Sequence, residues 1–96
     1  MAELADGFIA LPGGYGTYEE FCEILVWNQL GFHHKPFGLL DVAGFYRPLL
    51  QFFDHATAEG FVRPKHRELV LVDEEPAKLL AQMEAWQPTG EVKWAR

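Results

Sequence analysis

One junction limits what this chain can fold into. Phe8-Ile9-Ala10-Leu11 is a short apolar run, and it breaks on Pro12-Gly13-Gly14-Tyr15-Gly16 before a helical pattern opens at Thr17. A run this short, bounded by turn residues, reads as a buried strand. The helix carries Phe21, Ile24, Leu25 and Trp27-Asn28 as a broad apolar face and closes at Leu30-Gly31, with glycine one place past the cap.

The same succession recurs twice. After the loop His33-His34-Lys35-Pro36, Phe37 to Leu40 predicts a second strand that ends at Asp41. A second helix is expected from Gly44 or Phe45 to about Glu59, with Gly60 as its stop. Pro48 confines its own position to the first turn. Leu49, Leu50, Phe52, Phe53 and Ala56 are the expected buried side. Pro64-Lys65-His66-Arg67 reads as a turn, and Leu69 to Val72 as a third strand. Asp73-Glu74-Glu75-Pro76 has the acids and proline of a helix start. The third helix bears Leu79, Leu80, Met83 and Trp86 and stops at Gln87-Pro88-Thr89-Gly90. The tail to Arg96 is expected to fray or to dock through Trp94, and Met1 to Asp6 reads as the last turn of a helix.

Strand–helix three times over predicts an α/β fold: a Rossmann-like parallel sheet with right-handed crossovers and helices on both faces. Three strands with three helices cover two faces poorly, so part of a sheet, or one completed by a partner, is expected. At 96 residues the chain holds one small domain. The net charge of −6 argues against a nucleic-acid surface, which needs clustered Lys and Arg. Cys22 stands alone, so no internal disulfide is expected. No apolar run approaches the ~20 residues of a membrane span, and the start MAELADGF lacks the basic region of a signal peptide. A soluble protein of the cytoplasm is the expectation.

The segment from Leu11 to Glu20 joins a strand's end to a helix start, the edge where open α/β sheets bind ligands. Glycines let a backbone approach an anion, and the helix terminus adds N–H donors and a positive dipole end. Gly13, Gly14, Gly16 and Thr17 form a credible phosphate cradle. No lysine follows them, so this is not a P-loop, nor is the spacing that of a dinucleotide fingerprint. The alternative is purely structural: Thr17 and Glu20 have the spacing of a capping box, and the glycines could make a tight turn. Glu19 and Glu20, expected in the first helical turn, are placed to act on a sugar carbon by stabilising an oxocarbenium-like state or activating water.

Other residues carry less. His33-His34 lacks partners at ligand spacing and reads as surface; no metal is expected. Cys22 reads as a small packed hydrophobe. Trp27, Phe45, Tyr46, Phe52, Phe53 and Trp86 read as core or subunit contacts, whereas Tyr15 and Tyr18 flank the glycines and could line a cleft. Lys35, Lys65, Lys78 and Lys93 have no supporting motif for a pyridoxal-phosphate Schiff base, and no cofactor is expected.

The segment resembles PGGxGTxxE, the signature of the LOG ("lonely guy") phosphoribohydrolases that activate cytokinins. Ala5 to Leu11, Trp27-Asn28-Gln29-Leu30-Gly31, Lys35-Pro36, Gly38-Leu39-Leu40 and Glu59-Gly60-Phe61 are similar as well, so the likeness covers about residues 1–85. The resemblance implies hydrolysis of a nucleoside 5′-monophosphate, such as AMP or isopentenyladenosine monophosphate, to free base and ribose 5-phosphate. It implies Gly13, Gly14, Gly16 and Thr17 at the phosphate, Glu20 as the catalytic carboxylate and Glu19 near the ribose. It also implies a homodimer or higher homo-oligomer. Members of the family carry, before this motif, a glycine-rich loop and a helix with an Arg-Lys pair. Neither is in these residues, and Arg47, Arg63, Arg67 and Arg96 match no catalytic position. The expectation is a partial domain over 1–96 corresponding to the family's C-terminal half, with 87–96 as a tail. The alternatives are a phosphate-binding fragment without catalysis and an oligomeric structural remnant.

Overall fold

The computed structural model describes residues 2–4 and 6–86; the expectations for the tail, including Trp94, lie outside the described residues. Strands β2 (Gly7–Ala10), β3 (Phe37–Leu40) and β4 (Val70–Asp73) run parallel and pair in chain order. Ala10 stands opposite Leu39, which stands opposite Val72. Helix α1 (Tyr15–Gln29) joins β2 to β3. A short 3₁₀ turn (Val42–Gly44), α2 (Arg47–Ala58) and the single turn α3 (Pro64–Arg67) join β3 to β4. Helix α4 (Pro76–Ala85) follows β4. This is the α/β arrangement expected of the strand–helix succession.

Alternation along the strands sorts the two faces. Phe8, Ala10, Phe37, Leu39, Val70 and Val72 point to one side and pack with Phe21, Ile24 and Leu25 of α1 and with Leu49, Leu50 and Phe53 of α2. On the other side α4 lies so close that a Cβ on Gly38 would sit 2.7 Å from Leu79 Cδ1, so only glycine lets the helix seat there. Leu79 and Met83, one turn apart on α4, are buried.

Several expected core residues fall outside these stripes, Trp27 of α1 among them at 49% exposed. Phe52 is 58% exposed, because the buried row of α2 runs Leu49, Leu50, Phe53 and Phe52 projects beside it. Leu80 is likewise exposed next to Leu79. Helix α1 ends as expected: Gly31 takes φ 84°, its N–H reaches the Asn28 carbonyl at 3.0 Å, and the Phe32 N–H reaches that of Trp27 at 2.9 Å. These are the paired bonds of a Schellman motif.

The N-terminal expectation is corrected. Ala2–Leu4 is not a helical turn but a strand, β1, antiparallel to β2 with Leu4 opposite Gly7. Only residues 5 and 6 connect them, so the pair is a tight hairpin. Three residues cannot close helical hydrogen bonds, whereas pairing satisfies the N–H and C=O groups along the edge of β2.

Candidate functional site

Helix α1 starts two residues earlier than its sequence suggests. Gly14 is the N-cap, with extended φ −100° and ψ −154°, and its carbonyl accepts the first helical bond from the Tyr18 N–H at 3.1 Å. Thr17 is therefore inside the helix, no side chain caps the terminus, and no acid lies in the first turn. The capping box does not form, and Glu19 and Glu20 fall in the second turn, not the first. The shift has a local cause: glycine serves as an N-cap without a side-chain bond, so Tyr15 and Gly16 can enter the helix. Glu20 is thus released from the structural role that competed with a chemical one, and it is exposed.

The loop is shaped around its glycines. A Cβ on Gly13 would meet Thr17 Oγ1 at 2.5 Å, so the threonine hydroxyl packs directly against that backbone. A Cβ on Gly14 or Gly16 would meet nothing within 4 Å. No neighbouring atom excludes a side chain at those two positions; the space in front of them is open.

That space continues into a mostly apolar cleft of about 520 Å³. Gly13, Gly14, Tyr15 and Tyr18 form one wall, Phe45, Tyr46, Pro48 and Leu49 the other, and Phe21 also contributes to the lining. Of the residues singled out in the sequence, Gly13, Gly14, Tyr15 and Tyr18 line the cleft. Gly16, Thr17, Glu19 and Glu20 do not, although they share the loop and helix that bound it. Phe45 and Tyr46, expected as core or subunit contacts, belong to the second wall. Phe45 is 50% exposed and meets the Tyr46 ring edge-on at 5.0 Å, while Tyr46 is buried against Phe21 at 6.0 Å. The available signal was Leu40-Asp41, the end of a parallel strand, since ligands bind outside those ends.

Burial decides the chemistry of several nearby groups. It raises the Tyr46 hydroxyl above its ordinary range, so that group stays a donor. Burial also raises the Cys22 thiol, against a lowering hydrogen bond from Tyr18, which leaves it protonated and a poor nucleophile. Tyr18 is raised by burial first and by Cys22 second.

His33 is not the surface residue expected. It is half-buried, its Nε2–H donates to the Ile24 carbonyl at 3.2 Å, and its Nδ1 accepts the Lys35 N–H at 3.2 Å. Both bonds fit one neutral tautomer, and burial lowers its pKa. Lys35 lies 5.7 Å from the Phe8 ring centroid, Lys78 pairs with Glu75 at 3.1 Å, and among the described residues no lysine or arginine lines the cleft. Arg67 is bound to Asp54 at 2.7 Å. Among the described residues, no group of three or more His, Cys, Asp or Glu is placed to hold a metal ion, and no helix is long and apolar enough to cross a membrane.

Comparison with known proteins bears on this geometry. Residues 1–83 match the family described as possible lysine decarboxylase. Among named relatives, the chain is 48% identical to the probable cytokinin riboside 5′-monophosphate phosphoribohydrolase LOGL2 of Oryza sativa subsp. japonica, covering 98% of the chain and 41% of the relative. It is 49% identical to the phosphoribohydrolase LOG of the same plant, covering 96% of the chain and 38% of the relative. It is 50% identical to LOG7 of Arabidopsis thaliana, covering 92% of the chain and 41% of the relative. The chain thus spans about two fifths of the length of these relatives.

Proposed function

The chain belongs to the family described as possible lysine decarboxylase, whose named relatives are LOG phosphoribohydrolases, and on that premise we propose that its glycine loop binds the phosphate of a nucleoside 5′-monophosphate. The observation that carries this reading is the start of α1, with no side-chain cap and no acid in its first turn, behind open space at Gly14 and Gly16. An anion there meets free N–H groups and the positive end of the helix, with no carboxylate in the first turn to repel it. Gly13, Gly14, Gly16 and Thr17 hold the phosphate, Tyr15 and Tyr18 border the bound nucleotide, and Glu19 lies near the ribose.

Glu20 then faces the sugar rather than the phosphate. The C1′–N bond breaks, a water oxygen bonds to C1′, and the base leaves with a proton on its nitrogen. A carboxylate at this point stabilises the cationic sugar or takes the proton of the attacking water. The substrate class is AMP or its isopentenyl derivative. The apolar cleft beside the loop is suited to the base and an apolar substituent. The working form in this reading is a homodimer or higher homo-oligomer in the cytoplasm, and light scattering at micromolar concentration tests the assembly.

Decarboxylase chemistry is the poorer reading: it requires a lysine to form the Schiff base with pyridoxal phosphate, and among the described residues no lysine lines the cleft. Nucleotide binding without hydrolysis is the second reading, favoured by a cleft that, among the described residues, no arginine lines. Incubation with AMP and with isopentenyladenosine monophosphate, followed by detection of free base, separates the two. Replacement Glu20→Gln is expected to lower base release by about 100-fold or more while phosphate binding persists. Unchanged release would remove Glu20 from the mechanism.

A further inference from the structure

The far wall of the cleft is fastened to the glycine loop by one side chain. Tyr46 reaches back across 35 positions, and its hydroxyl donates to the Leu11 carbonyl at 2.5 Å, just before Pro12 and Gly13. Its own backbone is held too: the Tyr46 N–H donates to Asp41 Oδ1 at 2.7 Å, and Asp41 is buried. The Asp41 N–H in turn bonds the Asp73 carbonyl at 2.9 Å, which roots this chain of contacts in the sheet. The ring packs between Phe21 and Phe45.

The backbone is bent to bring Tyr46 there. Ala43 adopts φ 53° and ψ 31° and Gly44 adopts φ 75°, two successive left-handed residues directly before the aromatic pair. Alanine in that conformation is strained. A strained turn, a buried carboxylate and a buried hydroxyl converge on one carbonyl at the mouth of the loop.

We propose that Tyr46 is a positioning residue for the phosphate-binding loop, its hydroxyl fixing where Leu11 ends and therefore where the N–H groups of the following glycines point. The assignment rests on the phosphate reading for its effect on ligand, but the ordering of the loop is independent of it. Pro12 has no N–H to bond, so the Leu11 carbonyl is a natural point at which to anchor the entry to the loop from outside the local chain.

The experiment is Tyr46→Phe, which keeps the ring and deletes only the hydroxyl, in the full chain. Amide NMR spectra and hydrogen exchange are compared for Gly13, Gly14 and Gly16 and, as a remote reference, for Leu79 and Met83. The expected result is shifted resonances and faster exchange at the glycines with the α4 amides in place. Thr57→Ala serves as the control. It removes another hydroxyl donor to a backbone carbonyl, that of Phe53 at 2.8 Å, far along α2. It should leave the glycine amides unchanged. Glycine amides that do not respond to Tyr46→Phe, or that respond equally to Thr57→Ala, overturn the assignment. AMP titration supplies the ligand arm: where the parent binds, Tyr46→Phe should bind about three- to ten-fold more weakly. A parent chain that does not bind AMP refutes the phosphate reading alone, because the amide comparison still decides the tie.

Discussion

Two sets of glycines divide this molecule. Gly7 and Gly38 lie under α4, where a Cβ would come within 2.8 Å and 2.7 Å of Met83 and Leu79. Gly14 and Gly16 lie at the start of α1, where a Cβ would meet nothing within 4 Å. At the first pair a side chain would have to displace Met83 or Leu79 of α4. The second pair face open space at a helix terminus, where no neighbouring atom excludes a side chain. One residue type therefore marks packing on one side of the sheet and a candidate ligand position at its edge.

The sharpest break in that comparison is Gly38→Ala. Forcing a methyl against Leu79 is expected to cost about 1–3 kcal/mol in urea denaturation, and a variant as stable as the parent would show that α4 yields freely. Next is Gly16→Ala, which exchanges glycine for a better helix former in the first turn of α1. Stability should hold or rise, by about 0.5–1 kcal/mol at most, while AMP binding weakens. Loss of stability with binding intact would reverse the assignment of the two sets.

A smaller effect is expected beside the cleft at Ala43. Asparagine tolerates left-handed backbone better than alanine does, so Ala43→Asn should stabilise by on the order of 0.5 kcal/mol. A thermal melt that moves the other way would place the strain elsewhere.

The mildest test concerns the far end of α1, where His33 ties Ile24 to Lys35. Folding lowers its pKa below the ordinary value of 6.5, chiefly by burial. Its contribution is therefore complete above that value and declines as pH falls through it toward the lowered native value. Denaturation midpoints should drop on acidification over that window, and His33→Gln, which does not titrate, should flatten this part of the dependence. The glycine-loop amides should be indifferent to this change, since His33 lies at the other end of the helix.

Much of the fold was legible because its signals are local. Phe37 to Leu40 forms the second expected strand with its bounds intact, and Gly31 ends α1 where a left-handed residue was anticipated. Pro76 opens α4 at its first position. Errors arose where two local solutions were both acceptable. Thr17 with Glu20 has the pattern of a capping box, yet Gly14 caps the helix from further back. Phe52 is as apolar as Phe53, and only the angular placement on α2 exposes one and shelters the other. The second wall of the cleft left little trace in the sequence, because Phe45 and Tyr46 meet the glycine loop only when β2 and β3 pair.

By itself, the order of residues determined the alternation of strands and helices, the glycine loop at a helix start, and the carboxylates that follow it. Each depends on backbone preferences and spacing within a few positions of the chain. The tertiary structure alone decided that β1 covers the edge of β2 and that Tyr46 closes on Leu11. Those outcomes depend on which surfaces compete for burial and which carbonyls find donors, and such partners are set by the packing of the sheet rather than by neighbours in sequence.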